Sequence, residues 1–301
     1  VSTAQRRRIT RRAARPLRGS QNVRQDESGR MIMPTKAFEA ARATAPGQRG
    51  YNQDRSLFLG SAETLLLGLA DGLGGHPRGE TAAQLLIDVC ESLFRRTSKP
   101  LADPEHFMLQ CIGQAHNTIL RFGRRQHPWI TPRTTAVLAV IQDGTVHWAH
   151  VGDSRLYLMR GGQVHARTRD HSYIRHVRAS GGEASRPHTS LTRCLGGMLR
   201  PPITSCGPPT ALQAGDLILL CSDGLWSQIP GQTLIRTLQD TACPLETALP
   251  ALVKQTSMLP NSDNVTAVAL RWLATPDVVQ AQDPADRRQY QTANTTNDQN
   301  R

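Results

Sequence analysis

The 301-residue sequence predicts an α+β fold whose sheets are mainly antiparallel. Two amphipathic helical patterns follow one another between residues 82 and 122. Short apolar runs on either side of this pair are bounded by tight turn signals, of which Asp143-Gly144 is the clearest. Consecutive hairpins around a helical pair favour antiparallel pairing, because parallel strands need long crossover connections.

The helical pair is predicted from apolar periodicity and from a capping residue. Apolar residues recur at helical spacing over residues 82–94, which predicts an amphipathic helix of about three turns. A second helix is predicted to begin at Pro104, because Asp103 is a good N-cap and proline suits the first helical position. Its apolar stripe continues to Phe122.

The strands are predicted from short apolar runs bounded by turn residues. They span, in chain order, residues 65–70, 134–141, 146–151, 155–159, 217–221 and 264–270. Gly161-Gly162 marks a turn, and a third helix is predicted over 244–256. We expect one ordered domain, 35–273, between an Arg-rich disordered arm (1–34) and a flexible polar tail (274–301).

The net charge of +12 is concentrated near the beginning of the chain. Residues 1–30 contain nine arginines and two carboxylates, a net +7, which leaves +5 for the remainder. A solvated arm is one interpretation, and contact with nucleic acid or anionic lipid is the alternative. Because only 4% of the residues are aromatic, the folded part offers few surfaces for base stacking, and we do not expect a nucleic-acid partner.

Other features of the composition bear on the location of the protein. No run approaches ~18 apolar residues, so no transmembrane helix is expected, and the first residues lack the apolar core of a signal peptide. The six cysteines show no Cys-x-x-Cys spacing, which predicts free thiols in a reducing compartment rather than a zinc site. We therefore expect a cytoplasmic protein that is not attached to a membrane.

Three of the apolar runs end in a carboxylate, and this pattern carries the prediction of function. Asp71, Asp153 and Asp223 each follow a predicted buried strand within two residues. A carboxylate at the end of a buried strand is unfavourable unless something pairs with it, and several together repel one another. Because the candidate ligands are all oxygens, the expected counter-charge is a hard divalent cation.

Eight short motifs in a fixed order resemble the bacterial type of the metal-dependent protein phosphatase family, the type 2C serine/threonine phosphatases. They occupy residues 49–54, 70–76 with 79–80, 134–135, 151–155, 168–171, 191–196, 221–226 and 262–266. The resemblance runs from Arg49 to about Val268. It implies an α-β-β-α sandwich of two stacked antiparallel sheets flanked by helices, with metals in a cleft at one edge.

The resemblance also implies roles for six metal-binding positions. Asp71 resembles a ligand shared by two cations, the carbonyl oxygen of Gly72 would bind the second cation, and Asp54 would hold water near it. Glycine suits that position because no Cβ obstructs the approach to its backbone.

Two further aspartates, Asp223 and Asp263, would complete the coordination of the first cation. Asp153, together with Asp223, resembles a weaker third site. We expect two Mn²⁺ or Mg²⁺ ions and a weaker third one, since these ions keep several waters and need few protein ligands.

Two candidate catalytic residues accompany these ligands. Arg49 fits a bidentate phosphate clamp, although it could be an ordinary surface arginine. His76 could protonate the leaving oxygen, or it could be a loop histidine that orients water or a ligand. His171 is interpreted the other way, as a residue that fixes a loop rather than one that performs chemistry.

Three features depart from the family pattern. Arg133 stands where glycine usually precedes the Thr-Thr pair, which puts the local loop geometry in question. Gln53 replaces a common glutamate, so the affinity for the second metal is expected to be lower. The segment 172–190 corresponds to a variable flap and is basic; it is either a solvated loop or a lid that selects acidic or phosphorylated segments.

The sequence therefore predicts a metal-dependent phosphatase that hydrolyses phosphoserine and phosphothreonine on proteins by direct attack of a metal-bridging hydroxide. The alternative is a pseudophosphatase that binds phosphoproteins without turnover. Since the aspartates of the metal set are present, we favour activity. The expected partners are phosphorylated proteins, including a cognate serine/threonine kinase and its substrates, and the protein is expected to be a monomer.

Overall fold

Two antiparallel β-sheets face each other in the computed structural model, which describes residues 38–172, 191–197 and 199–273. An apolar cluster that contains Leu67, Ile141, Leu158 and Val268 fills the space between the sheets. Two further clusters lie between the outer face of each sheet and the helices that cover it. The predicted α+β fold and its α-β-β-α layering are therefore confirmed.

Five strands form the first sheet, and every neighbouring pair in it is antiparallel. In spatial order they are β1 (Phe38–Ala45), β11 (Val265–Trp272), β10 (Leu217–Cys221), β6 (Arg155–Arg160) and β7 (Gln163–Arg167).

Six strands form the second sheet, which is also antiparallel. In spatial order they are β2 (Arg55–Gly60), β3 (Thr64–Ala70), β4 (Ala136–Gln142), β5 (Thr145–Val151) and β8 (Ser205–Cys206), and β9 (Thr210–Ala211) also pairs with β5.

The helices cover the outer faces of the sheets through their apolar stripes. Against the second sheet lie α1 (Gly79–Arg96) and α2 (Pro104–Arg124). Against the first sheet lie α3 (Asp223–Trp226), α4 (Gly231–Leu238) and α5 (Leu245–Ser257). No helix in the described part of the chain is long and apolar enough to span a membrane.

Burial on both faces explains why the central strands could be recognised in the sequence. Every residue of β3, β4, β10 and β11 is buried. One face of each strand packs against the other sheet and the opposite face packs against helices, so these strands are continuous apolar runs rather than alternating patterns. Their predicted positions agree with the observed ones to within about two residues.

The local turn and cap signals are also realised. Asp143 and Gly144 have φ values of 51° and 67° and connect β4 to β5 in a tight hairpin. Both central residues of such a turn need positive φ, which Asp and Gly tolerate. The Asp103 side chain accepts a hydrogen bond from the backbone N–H of His106 at 2.9 Å, as expected of an N-cap.

Some elements were not predicted. β1 has the alanine-rich sequence FEAARATA, and its eight-residue pairing with β11 stabilises it despite weak strand propensity. β7 is mostly exposed, so it lacks a buried apolar face that could identify it. The Arg-rich arm, the polar tail and residues 173–190 of the flap lie outside the described residues.

Candidate metal centre

Strand ends from both sheets bring five aspartates to one edge of the sandwich. In the second sheet, Arg55 pairs with Ala70, which places Asp54 beside Asp71. In the first sheet, Cys221 pairs with Arg155, and so the segments that carry Asp153 and Asp223 meet. The antiparallel pairing of β11 with β10 brings the residues just before Val265 to the same edge. The carboxylates collected in this way are those of Asp54, Asp71, Asp153, Asp223 and Asp263.

A pocket of about 870 Å³ opens at this edge. Its wall includes Gly72 and four of the five aspartates, namely Asp71, Asp153, Asp223 and Asp263. Asp54 is not part of the wall and is only 3% exposed, so it lies behind the pocket. The structure thus brings together all the residues of the predicted metal set, with Asp54 in a more interior position than the others.

Asp54 is a buried carboxylate without a conventional partner. Within the described part of the chain, neither of its oxygens makes a hydrogen bond of good geometry, although the hydroxyls of Ser222 and Thr266 lie near it. Burial, followed by the charges of Asp223 and Asp263, raises the pKa of Asp54 to about 7, even though the two hydroxyls act in the opposite direction. An unpaired buried carboxylate is strongly unfavourable, which points to a cation or a cation-bound water beside it.

The other carboxylates are destabilised in the same way. Burial raises the pKa of Asp71 well above its usual value, and the charge of Asp54 adds to the effect. Burial and the neighbouring Asp223 raise the pKa of Asp153 to about 7. Burial and the neighbouring Asp263 raise the pKa of Asp223 to about 6. Divalent cations among these groups would reverse the repulsion and keep all of them ionised at neutral pH.

The arrangement suits Mn²⁺ or Mg²⁺ better than a metal held in a closed cage of thiolate and imidazole ligands. Among the residues that the structure describes, no three Asp, Glu, His or Cys side chains form a ready-made metal cage. The carboxylates surround an open pocket instead. Such an open, all-oxygen site fits cations that retain several water ligands.

A pair of threonines fixes the backbone of Asp71. The carbonyl oxygen of Asp71 accepts hydrogen bonds from Thr134 Oγ1 at 2.9 Å and from the backbone N–H of Thr135 at 2.8 Å. The N–H of Asp71 donates to Thr135 Oγ1 at 3.0 Å. Thr135 Oγ1 also lies 2.8 Å from Ser154 Oγ, so the Asp71 and Asp153 segments are linked. The sequence shows the Thr-Thr pair as a motif but gave no sign of this role.

Gly72 is required by backbone packing. A Cβ at this position would lie 2.4 Å from the backbone carbon and oxygen of Gly79, at the beginning of α1. The close approach that we expected at Gly72 is therefore an approach to helix α1. The role of the Gly72 carbonyl oxygen as a metal ligand stays a prediction.

Arg49 reaches the pocket wall and contacts a candidate metal ligand. Its Nη2 lies 2.8 Å from Asp263 Oδ2, and the arginine side chain is 60% exposed. The guanidinium is therefore next to the carboxylate cluster, where a phosphoryl group would be held. Its function as a phosphate clamp stays a prediction.

Asn264 organises the loop that carries Arg49, and the sequence reasoning missed it. The Asn264 Oδ1 accepts from the backbone N–H of Gln53 at 2.8 Å. Its Nδ2 donates to the carbonyl oxygens of Pro46 at 2.9 Å and Tyr51 at 3.0 Å. An asparagine directly after a candidate ligand and before a buried strand was the available signal, because a buried amide must find such partners.

Gln53 is part of the pocket wall, although most of the residue is buried. Its side-chain Nε2 is buried and has no hydrogen-bond partner among the described residues, and a Cβ added at Gly79 would lie 2.6 Å from it. The side chain therefore packs beneath the beginning of α1. The lower metal affinity expected from this glutamine stays a prediction.

His76 also lines the pocket, but its surroundings do not favour the protonated form. Burial, and then the charge of Arg133, lowers the pKa of His76. A lower pKa leaves less imidazolium near neutral pH to act as an acid. This favours the second interpretation, in which His76 orients water or a ligand, and the general-acid role stays a prediction.

His171 lies outside the pocket wall and supports the loop after β5. Its Nδ1 accepts from the backbone N–H of Gly152 at 3.1 Å, and its Nε2 lies 2.9 Å from Ser205 Oγ. The ring stacks on His150 with centroids 4.5 Å apart. These contacts agree with the interpretation of His171 as a residue that fixes a loop.

A second group of contacts fixes the backbone segment that carries Asp153. Trp226 Nε1 donates to the carbonyl oxygen of Asp153 at 3.0 Å. Arg155 stacks over the Trp226 ring at 3.4 Å and binds both carboxylate oxygens of Asp170 at 2.9 and 2.7 Å. The Asp153 segment is therefore held by residues from α3 and from the loop after β7.

Arg133, at the position where the resemblance leads us to expect glycine, takes part in the backbone contacts around the Thr-Thr pair. The carbonyl oxygen of Arg133 accepts from the backbone N–H of Leu73 at 3.0 Å. The next residue, Thr134, bridges to Gly72 on one side and to Leu195 on the other. The Arg133 side chain lines the pocket.

Comparison with known proteins places these features in a family. A family described as Protein phosphatase 2C matches residues 47–258 of the chain. Serine/threonine protein phosphatase PstP of Mycobacterium tuberculosis is 33% identical over 208 residues, which are 66% of this chain and 38% of that protein. Protein phosphatase PhpP of Streptococcus pneumoniae is 28% identical over 238 residues, which are 76% of this chain and 95% of that protein.

A solved structure supports the similarity. The catalytic domain of the phosphatase PstP, in complex with two manganese ions, superposes with a TM-score of 0.66 at 26% identity. The match covers 79% of this chain and 99% of that one. The similarity therefore includes the whole of a related catalytic domain, although this chain spans well under half of the full-length mycobacterial protein.

Proposed function

The chain is a member of the protein phosphatase 2C family, and from this premise we propose that it hydrolyses phosphoserine and phosphothreonine on proteins with bound Mn²⁺ or Mg²⁺. The observation that carries the proposal is the cluster of five aspartates, whose mutual repulsion needs divalent cations. The manganese ions in the related PstP domain support the same choice of metal.

The predicted ligands have distinct places in the cluster. Asp71, Asp223 and Asp263 line the pocket and would bind the cations directly, with the Gly72 carbonyl as a further oxygen. Asp54 lies behind them and would accept hydrogen bonds from water in the coordination sphere. Asp153, on the same wall, would contribute to a weaker third site.

Such cations would supply Lewis acidity that makes a water nucleophilic near neutral pH and would neutralise negative charge on the phosphoryl oxygens. The side chains supply positioning. Arg49 would hold the phosphoryl group through guanidinium donors that its contact with Asp263 leaves available. His76 would orient water or the leaving oxygen at the pocket wall.

The pocket supports activity over silent phosphoprotein binding. All the predicted carboxylate ligands are present and held in position, and the Thr134-Thr135 pair fixes the backbone of Asp71 by three hydrogen bonds. We propose phosphorylated proteins as substrates and a serine/threonine kinase as the opposing activity.

Phosphate release from a phosphothreonine peptide tests the proposal. The purified chain is assayed with Mn²⁺ or Mg²⁺ and again with an excess of chelator, and Asp223→Asn serves as the matched inactive variant. We expect turnover that depends on metal and is lost with chelator. Turnover that persists in chelated buffer, or metal-loaded enzyme that binds the peptide without hydrolysis, would contradict the proposal.

A further inference from the structure

Arg133 is an arginine of the pocket wall that the proposed mechanism does not use. Among the described residues that line the pocket, the arginines are Arg49 and Arg133. Arg49 pairs with Asp263 at 2.8 Å, whereas Arg133 makes no ion pair in the described part of the chain and its side chain is hydrogen-bonded to the Cys194 thiol. A guanidinium on a pocket wall without a carboxylate partner can bind an anionic group of a bound molecule.

The position of Arg133 is fixed by its neighbours. Its backbone oxygen accepts from Leu73 N at 3.0 Å, and the residue after it exchanges two backbone hydrogen bonds with Leu195 at 3.3 and 2.9 Å. The side chain lies between His76, whose pKa its charge helps to lower, and the Cys194–Gly197 segment. The guanidinium is therefore presented from a rigid backbone rather than from a free loop.

The pocket has room for more than the reacting phosphoryl group. Its volume of about 870 Å³ is comparable with the 300–1,000 Å³ of sites that enclose drug-sized ligands. In the proposed mechanism Arg49 would hold the phosphate and the aspartates the cations, whereas Arg133 lies near His76 and Cys194. Its charge is thus available to another part of the substrate.

We propose that Arg133 selects substrates that carry an anionic side chain next to the phosphorylated residue. The planar guanidinium fork matches a carboxylate or a second phosphoryl group. The inference rests on the proposed function, because it concerns the specificity of the same pocket.

Binding of non-hydrolysable peptides separates this inference from catalysis. A fluorescent peptide carries a phosphonate analogue of phosphothreonine, with Glu, Gln or a phosphonate analogue of phosphoserine placed in turn at the two positions on each side. Dissociation constants are measured by anisotropy in the presence of Mn²⁺. We expect the wild type to bind the peptide with Glu or with the second phosphonate roughly fivefold more tightly than the Gln peptide at one of these positions.

Variants of Arg133 test whether this residue causes the preference for anionic peptides. Arg133→Gln should reduce the ratio to about one, and Arg133→Lys should restore part of it, because the charge returns without the fork. Arg125→Gln removes an exposed charge from the same connection outside the pocket wall and should keep the wild-type ratio. Thermal unfolding shows that each variant is folded.

Three results would overturn the inference. The wild type could show no preference at any position, or the preference could survive in Arg133→Gln, which would assign it to other basic groups. Equal weakening of the Glu and Gln peptides would show that Arg133 contacts the phosphoryl group itself. Because the peptides cannot be hydrolysed, a preference seen in a chain without phosphatase activity would support the inference while contradicting the proposed function.

Discussion

Asp71 and Asp223 each place a carboxylate in the pocket where its neighbours repel it. We predict that Asp71→Asn or Asp223→Asn lowers kcat by at least ~100-fold, because each change removes a charge that holds the catalytic cations. The metal-free variants should be as stable as the wild type or more stable, since repulsion is relieved. Peptide kinetics, metal titration and thermal unfolding measure the three effects. Near-native turnover with unchanged metal content would contradict these assignments.

Substitution of Arg49 tests substrate positioning separately from metal binding, because Arg49 is not one of the proposed metal ligands. A charge-assisted bidentate contact contributes about 1.5–3 kcal/mol, so Arg49→Ala should lower kcat/KM by roughly 10- to 150-fold. Arg49→Lys should remain impaired, because an ammonium cannot reproduce the planar fork. The ion pair with Asp263 is largely exposed, and its loss should change stability little.

Kinetics on p-nitrophenyl phosphate and on a phosphopeptide, with metal titration, check the Arg49 prediction. If Arg49→Ala retained wild-type kcat/KM on both substrates, another basic group would have to hold the phosphate.

At the scale of elements, Thr135 connects β4 to the loop after β3. Thr135→Val would leave the Asp71 N–H without its acceptor and break the contact with Ser154. We predict a loss of about 1–3 kcal/mol in the free energy of unfolding, together with lower kcat, because the Asp71 backbone is no longer fixed. Urea denaturation measures the stability.

Thr135→Ser is the matched control, since it keeps the hydroxyl and should stay close to the wild type. A Thr135→Val protein with unchanged stability and kcat would show that these hydrogen bonds do not position Asp71.

The elements that sequence reasoning found are those whose signal is local. β3, β4 and β10 are apolar runs because both of their faces are buried, and the Asp103 cap needs only its own helix. β1 was missed because its pairing with β11 stabilises it, and the alanine-rich sequence of the strand gives no local signal of that pairing. Tertiary pairing of this kind outweighs local propensity.

The features of the candidate site can likewise be divided into those that have a local sequence signal and those that depend on tertiary packing. The order of the motifs was sufficient to name the carboxylates, since each one ends or precedes a strand. The pattern did not reveal the three side-chain hydrogen bonds of Asn264, the tight contact of Gly72 with Gly79 or the contact of Arg133 with Cys194. Each of these depends on a neighbour that is distant in sequence, and its position follows only from the packed fold.

At the scale of the whole molecule, we propose that residues 35–273 carry the catalytic role. Every described residue that lines the pocket lies at or beyond Arg49, and the family match begins at residue 47. We predict that removal of residues 1–34 leaves phosphatase activity on a peptide within about twofold. Kinetics and thermal unfolding of the truncated protein check this. A truncated protein that unfolds or loses most of its turnover would assign the arm a structural role.

The aspartates come from both sheets, and this has a consequence for stability as well as for catalysis. Asp54 and Asp71 adjoin strands of one sheet, whereas Asp223 and Asp263 adjoin strands of the other. A divalent ion bound by both pairs would cross-link the two sheets.

Such an ion binds only the folded chain, so at about 100 times its Kd it should add roughly 2.7 kcal/mol to the free energy of unfolding. The melting temperature should therefore rise with the logarithm of Mn²⁺ concentration, in Arg49→Ala as much as in the wild type, and the open edge of the sandwich should become resistant to proteolysis. A melting temperature that does not change with Mn²⁺ concentration would mean that the folded chain does not bind the ion, and would contradict this prediction.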